Sequence, residues 1–376
     1  MRRMFMGLAA LGLLCAVSVG VILLALPADR ATGASDGSAT TAERERLLAA
    51  LRPPKHARPV IAVLAQNAGT ETTDFLVPLG VLRASGAADV LAVALHDAPV
   101  TLMPALRARP DLDFAAFDAA HPDGADYVIV PALHHWDDPD VSHWLAAQAR
   151  SGAVVVGICE GAWVLAKAGL LDGRSATTHW FSAKRLRKQY PSLTWAEDRR
   201  YVLDRGVVTT TGVSASVPIA LTLVEAIAGA ERASALAQQL GVTRFGPEHR
   251  SAAFALDRRA AWTALRNTVA VWSWDRVEIP IADGVDEVAL ALTADAWART
   301  FKTSVRGVSA GPEVTSKGGL HLLADGPRSA RSATDEIALP GPGNSALRAA
   351  LDGIGQRYGA ATADFVALQL EYDPGE

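Results

Sequence analysis

The chain reads as a doubly wound α/β protein, and three observations predict it. Short apolar runs without polar alternation recur between segments of helical periodicity. One of those runs ends in a cysteine flanked by glycines, and the same strand–helix pattern begins again after residue 276. A strand covered on both faces shows no polar alternation, which is how the strands of a parallel sheet read. With 376 residues the chain is long enough for two domains.

The elements follow in order. Arg2 and Arg3 precede an uncharged, mostly apolar run over residues 4–26. A helical span needs about 20 such residues, whereas the apolar part of a signal peptide takes about 7–15. Residues 1–27 are therefore expected to be a transmembrane anchor or an uncleaved signal. Positive charge ahead of the span puts the first residues inside and the bulk on the periplasmic or extracellular side, as a single-pass cell-membrane protein. Cys15 falls within the run. Residues 28–58 read as a linker, Ala/Gly/Ser/Thr-rich over 31–41.

Strands are predicted over 60–65, 90–95, 126–131, 154–157 and 207–210, with helices over 74–84, 141–149 and 216–240. Together they make a first domain over 59–246. A connecting segment over 247–276 carries three tryptophans, Trp262, Trp272 and Trp274. The second unit, 277–376, offers a strand and loop at 277–284, a helix at 286–299 and a strand at 301–308. Residues 312–315 correspond to 99–101, and 335–340 echo 126–131. A closing helix over 346–371 completes the unit.

The formal net charge of -4 leaves no strongly basic face for nucleic acid. The run Lys184-Arg185-Leu186-Arg187-Lys188 reads as a solvated helix surface, and nucleic acid is not an expected partner. No phosphate loop, dinucleotide glycine fingerprint or haem-binding cysteine pair is present, so no cofactor is expected.

The chemistry centres on Gly157-Ile158-Cys159-Glu160-Gly161-Ala162. A buried strand that turns into a helix through two glycines presents the cysteine above the sheet edge, the layout of a nucleophile elbow. Cys159 is the only cysteine outside the N-terminal apolar run, so it has no disulfide partner in the rest of the chain. A helix start lowers a thiol pKa, whereas Asp74 and Glu160 oppose that if ionised. A low-pKa, reagent-accessible thiol is expected. The competing reading is a small buried hydrophobe.

Gly157-Ile158-Cys159-Glu160-Gly161-Ala162, continuing through Ala166-Lys167-Ala168-Gly169-Leu170-Leu171-Asp172-Gly173-Arg174-Ser175-Ala176-Thr177-Thr178-His179-Trp180, resembles the ThiJ/PfpI family of the class I glutamine-amidotransferase-like superfamily. The resemblance covers roughly residues 59–240. It is nearest to the PfpI-like domain of AraC-type transcriptional regulators and to isocyanide hydratases. It implies a flavodoxin-like parallel sheet flanked by helices, with a homodimer as the family habit. It makes the second unit a truncated, degenerate PfpI-like repeat, with no elbow and no recognition helix for DNA.

The resemblance also carries over an acid, Asp74 in Thr73-Asp74-Phe75-Leu76-Val77-Pro78, placed beside the cysteine to hold or relay a proton. An N-cap is the alternative for Asp74. His179 matches the Thr-Thr-His segment, as a base near the thiol or as a hydrogen-bonded structural histidine. Glu160 stands where peptidase-like members have histidine and hydratases threonine; it is read as a surface or capping acid, with a pocket-facing role as the alternative. His134 and His135 stand where relatives have a glycine pair whose N–H groups help form an oxyanion hole. Their spacing with Asp137 and Asp138 does not make a metal site. Aligning residues 292–295 with 77–80 puts Ala289 at the position of Asp74, so the second unit reads as structural.

The function expected is a cofactor-free, cysteine-dependent hydrolase, hydratase or lyase acting on a small electrophile, with Cys159, Asp74, His179 and Glu160 as the site. The alternative is a catalytically idle sensor or interaction module that keeps the pocket and an oxidisable Cys159.

Overall fold

The computed structural model describes residues 26–28, 30, 41–328, 336–339, 341 and 343–373. Its centre is a seven-stranded sheet. β1 (Val60–Ala65) lies parallel to both β3 (Asp89–Ala94) and β7 (Tyr127–Val130). Beyond β7 come β8 (Val154–Gly157), β12 (Val207–Thr210) and β11 (Tyr201–Asp204); beyond β3 lies β6 (Leu112–Asp113). Only β11 runs antiparallel, against β12. The sheet is thus mixed, which corrects the wholly parallel expectation at this edge.

The missing alternation in β1 has a direct cause. Ile61, Val63 and Ala65 enter one core, while Val60, Ala62 and Leu64 enter another on the opposite face. The first core is closed by α2 (Thr72–Ser85) and α7 (Ser216–Ala228), the second by α4 (Pro139–Arg150) and α5 (Gly161–Lys167). Each fully buried aliphatic side chain contributes about 1.5–3 kcal/mol of burial energy, which makes both faces necessary to hold the sheet.

The expected helix over 216–240 is two helices. Gly229 at φ 87° ends α7, and α8 (Ala230–Gln239) starts anew. The closing helix breaks in the same way: Gly359 at φ 90° separates α11 (Asn344–Tyr358) from α12 (Ala360–Gln369). A positive φ cannot continue an α-helix, and glycine adopts it without a Cβ penalty.

Residues 275–373 hold a two-stranded parallel sheet of β13 (Asp275–Pro280) and β14 (Thr303–Val308), with α10 (Glu287–Ala298) between them in sequence. Helix α10 packs on α2 of the central layer. A second connection joins the two parts. β4 (Val100–Met103) and β5 (Arg107–Arg109) meet β15 (Glu313–Thr315) and β16 (His321–Leu323) in one sheet, with β16 antiparallel to β5. The echo over 335–340 lies partly outside the described residues. In its described part, Glu336 makes a parallel bridge to Glu278 of β13.

One expectation is corrected outright. Among the described residues no helix is long and apolar enough to cross a membrane. The longest, α11, has 15 residues, a rise of roughly 22 Å against a hydrocarbon core of about 30 Å. The N-terminal transmembrane helix, the membrane as a partner, and the single-pass periplasmic or extracellular placement therefore gain no support and are set aside. The apolar run, except Leu26, lies outside the described residues, as does Cys15. Leu26 and Pro27 are held through their carbonyls by Arg258 at the start of α9 (Arg258–Val269), at 2.8 and 3.1 Å. On α6 (Trp180–Gln189) the basic run leans on aromatic faces, Arg185 over Trp163 and Arg187 over Trp195.

Candidate active site

Cys159 follows β8 at the carboxyl end of the central sheet, with φ 55°. A non-glycine residue in this region costs about 1–3 kcal/mol, so the surroundings must hold it there. They do so with backbone bonds on each side: Ile158 N–H donates to Val130 O at 2.9 Å and Gly161 N–H to Ile158 O at 2.7 Å. Cys159 N–H donates to Thr210 Oγ1 at 3.2 Å, and Thr178 Oγ1 donates to Cys159 O at 2.8 Å. Gly161 is required because a Cβ there would lie 2.1 Å from Val130 O. At Gly157 a Cβ would meet Leu165 at 2.7 Å. The thiol is only 6% exposed, yet it lines a cavity of about 740 Å3.

Asp74 is fully buried in the first turn of α2. It is not the N-cap. Glu71 takes that place, accepting from Asp74 N–H at 2.5 Å. Asp74 Oδ2 accepts from Ala132 N–H at 3.1 Å, and its Oδ1 has no partner. Burial pushes the Asp74 carboxyl up to about 8 against the pull of the Ala132 N–H and Arg299, with Asp295 and Glu160 adding repulsion.

Glu71 and Arg299 belong to this site and were not anticipated. Arg299 follows α10, far along the chain, and its Nη2 donates to Glu71 Oε1 at 2.6 Å while Nε donates to Asp295 Oδ1 at 2.7 Å. Thr73 Oγ1 holds the other Asp295 oxygen at 3.0 Å. Burial opposes the Arg299 charge, but Asp295 and Glu71 keep it firmly protonated. Burial also raises Glu71, with Asp74 and Asp295 reinforcing the shift and Arg299 opposing it. Between the two acids, Glu71 has two donors on its carboxylate and Asp74 has one. The negative charge therefore sits better on Glu71 and the proton on Asp74.

The thiol differs from expectation. Burial, followed by Asp74, Glu160 and Glu71, holds Cys159 well above the ordinary cysteine value, and Arg299 only partly offsets them. The helix start does not prevail because the thiol is enclosed among acids.

Glu160 makes no side-chain cap bond and lines the cavity, so the pocket-facing alternative describes it and the capping reading does not. His179 also lines the cavity, but both ring nitrogens are occupied. Nε2–H donates to Gln369 O at 2.9 Å and Nδ1 accepts from Phe181 N–H at 3.3 Å, an assignment fixed by the partners. It caps α6 and has no free lone pair for a base. His134 N–H donates to Gly69 O at 2.9 Å and His135 N–H to Gln66 Oε1 at 3.0 Å, so neither amide is available to an oxyanion. Among the described residues no group of three or more His, Cys, Asp or Glu is placed to hold a metal ion.

With the elbow, its buried acid and the parallel core in place, comparison with known proteins is informative. Residues 60–226 match the DJ-1/PfpI family. This part of the chain is a domain of the ThiJ/PfpI (DJ-1) superfamily. Within this superfamily it is similar to the HTH-type transcriptional regulator CdhR of Pseudomonas aeruginosa, 34% identical over 109 residues, 29% of this chain and 32% of that protein. It is similar to an isonitrile hydratase of Pseudomonas putida, 33% identical over 105 residues, 28% of this chain and 44% of the hydratase. The Parkinson disease protein 7 homolog of Danio rerio is 29% identical over 180 residues, 46% of this chain and 92% of that protein. The match thus spans about a third of the regulator and under half of the hydratase. The crystal structure of Drosophila melanogaster DJ-1beta superposes with a TM-score of 0.44 at 24% identity, covering 50% of this chain and 100% of that one.

Proposed function

We propose that this superfamily member is a cofactor-free enzyme in which the Cys159 sulfur adds to a small electrophilic carbon. The hydratase and hydrolase readings both begin with this step. The observation that carries the proposal is the unpartnered Oδ1 of fully buried Asp74, on an acid that retains its proton near neutrality and acts electrostatically on the thiol. An orphaned polar atom in so buried a place is costly unless something is to bind it. A carboxyl with a pKa near the working pH can take a proton and return it with little driving force lost in either direction.

In the addition step Asp74 gives its proton to the atom that gains the electron pair and takes up the S–H proton as the S–C bond forms, so that the carboxyl ends the step protonated as it began. Water then releases the adduct and restores the thiol. The cavity wall is largely apolar, with Leu133, Trp180, Phe301 and Phe365 among its residues. Glu71 and Glu160 in its wall repel anions, and the Arg299 guanidinium that also lines it is already paired. A compact, uncharged substrate such as an isocyanide or reactive carbonyl fits these conditions.

The commitment of the His134 and His135 amides favours a second reading, a ligand-binding module without turnover. Screening isocyanides and small carbonyl compounds against the wild type, Cys159→Ser and Asp74→Asn separates the two. Turnover abolished in both variants supports the enzyme. Ligand binding without turnover in the wild type supports the module.

A further inference from the structure

Setting β1 (Val60–Ala65) on β13 (Asp275–Pro280) brings Glu71 onto Asp286, Asp74 onto Ala289, Gly80 onto Asp295 and Ala84 onto Arg299. In that register the two helices α2 and α10 make reciprocal contacts. Thr73 meets Asp295, and their counterparts Val288 and Gly80 also meet, so closely that a Cβ on Gly80 would lie 2.8 Å from Val288 Cγ2. The strand β5 likewise pairs with its own counterpart β16. An element that pairs with its counterpart is the mark of a two-fold relation, here within one chain.

The chemistry does not follow the symmetry. One side of the axis holds Glu71, Asp74, Asp295 and Arg299 around Cys159. The other holds Asp286, Ala289, Gly80 and Ala84, where one acid of three remains and the guanidinium is gone. Each half therefore supplies what the other lacks to a single site.

We infer that Arg299 and Asp295 are positioning residues for Cys159, so that residues 275–373 serve the central layer as a built-in partner completing one asymmetric site. This rests on Cys159 being the reacting atom. Arg299, Glu71 and Cys159 line the same cavity, Arg299 bridges Glu71 of the central layer and Asp295 of its own helix, and Gln369 Nε2 donates to the Arg299 carbonyl at 2.8 Å. The ionisable groups acting on this guanidinium are Asp295 from α10, Glu71 and Asp74 from the start of α2, and Cys159 from the elbow, while Glu160 lines the same cavity and acts on Cys159 and Asp74. Removing the cation or its own-helix anion should move the proton balance of the thiol in opposite directions, since each deletes a charge of opposite sign from one cluster.

The test is the pH dependence of iodoacetamide alkylation of Cys159 in the full chain, which requires no substrate. Arg299→Gln is expected to raise the apparent thiol pKa by about one unit or more, and Asp295→Asn to lower it. Arg299→Lys should return most of the wild-type value. Arg357→Gln, which breaks an ion pair to Asp275 away from the site, should leave the value unchanged. Shifts of the same sign in Arg299→Gln and Asp295→Asn, or none in either, would overturn the inference by reducing both to scaffold. If Arg299→Gln does not fold, the lowered value in Asp295→Asn and the recovery in Arg299→Lys decide the matter. Loss of the Cys159 reading would show instead as turnover that persists in Cys159→Ser.

Discussion

Arg299 donates to the Glu71 carboxylate at 2.6 Å although 228 residues separate the two in the chain. That bond ties the C-cap of one helix to the N-cap of another and brings a positive charge to bear on the thiol. Burial and three nearby acids favour the neutral thiol, and a single guanidinium works against them.

The first prediction concerns that balance. Alkylation of Cys159 should be slow at pH 7 and rise with an apparent pKa above the ordinary cysteine value of about 8.5. A mass-spectrometric pH series on the native chain reads it directly. A midpoint near 6 would mean that Arg299 outweighs the acids.

Asp74 predicts an unusual pH dependence of stability. Its folded pKa of about 8 lies above its unfolded value, so between roughly pH 4 and pH 8 the folded state binds a proton that the unfolded state does not. Its contribution is complete below about pH 4 and is lost as pH rises through the folded value. Asp74→Asn, which is always neutral, should gain on the wild type as pH rises through this window. Urea midpoints at pH 5 and pH 8 check this: the variant's advantage should be larger at pH 8.

Gly161→Ala should be severely destabilising, by at least about 3 kcal/mol, because the new methyl meets a strand carbonyl and not a side chain that can turn aside. Chemical denaturation measures the loss. Gly173→Ala is the comparison: nothing lies within 4 Å of its Cβ position, and only the positive φ of 61° opposes it, at a cost of about 1–2 kcal/mol.

The C-terminal clasp predicts a coupled effect. Glu371 accepts from His249 Nε2 at 3.0 Å and from the Gly212 amide, and Ser214 Oγ donates to the Glu371 carbonyl at 2.6 Å. Glu371→Ala leaves the buried His249 Nε2 without its partner, a loss of about 1–3 kcal/mol for an unsatisfied buried group. Glu371→Gln should lose less, since it keeps an oxygen for the amide. Thermal melting of the two variants should therefore place Gln between Ala and the wild type. Alkylation of Cys159 in the same variants is expected to be faster in Glu371→Ala than in the wild type, because the neighbouring His179–Gln369 bond loosens with it.

Much of the central layer is legible in the residues because its causes are local. The apolar run of β1 announces two covered faces, and the elbow is written in six consecutive residues whose glycines each have an identifiable clash to avoid. The helix breaks at Gly229 and Gly359 were open to reading too, since each is a glycine inside an apparently continuous helix; periodicity carries across a break and concealed them. Asp74 could be carried over by resemblance, but its proton could not. That depends on how many acids the fold buries with it.

What the sequence by itself determined is the elbow, the cysteine at its turn and the order of the main strands of the central sheet, because neighbouring residues decide those through backbone conformation and burial. Only the tertiary structure decided that Glu71 caps the helix in place of Asp74, that His179 is spent on Gln369 and Phe181, and that Arg299 reaches the thiol's surroundings from the far side of the chain. Those outcomes come from long-range packing of α10 on α2 and of the C-terminal residues over Gly212. The electrostatic field at a buried atom is a sum over whatever the fold brings near it, and no local pattern of residues encodes that sum.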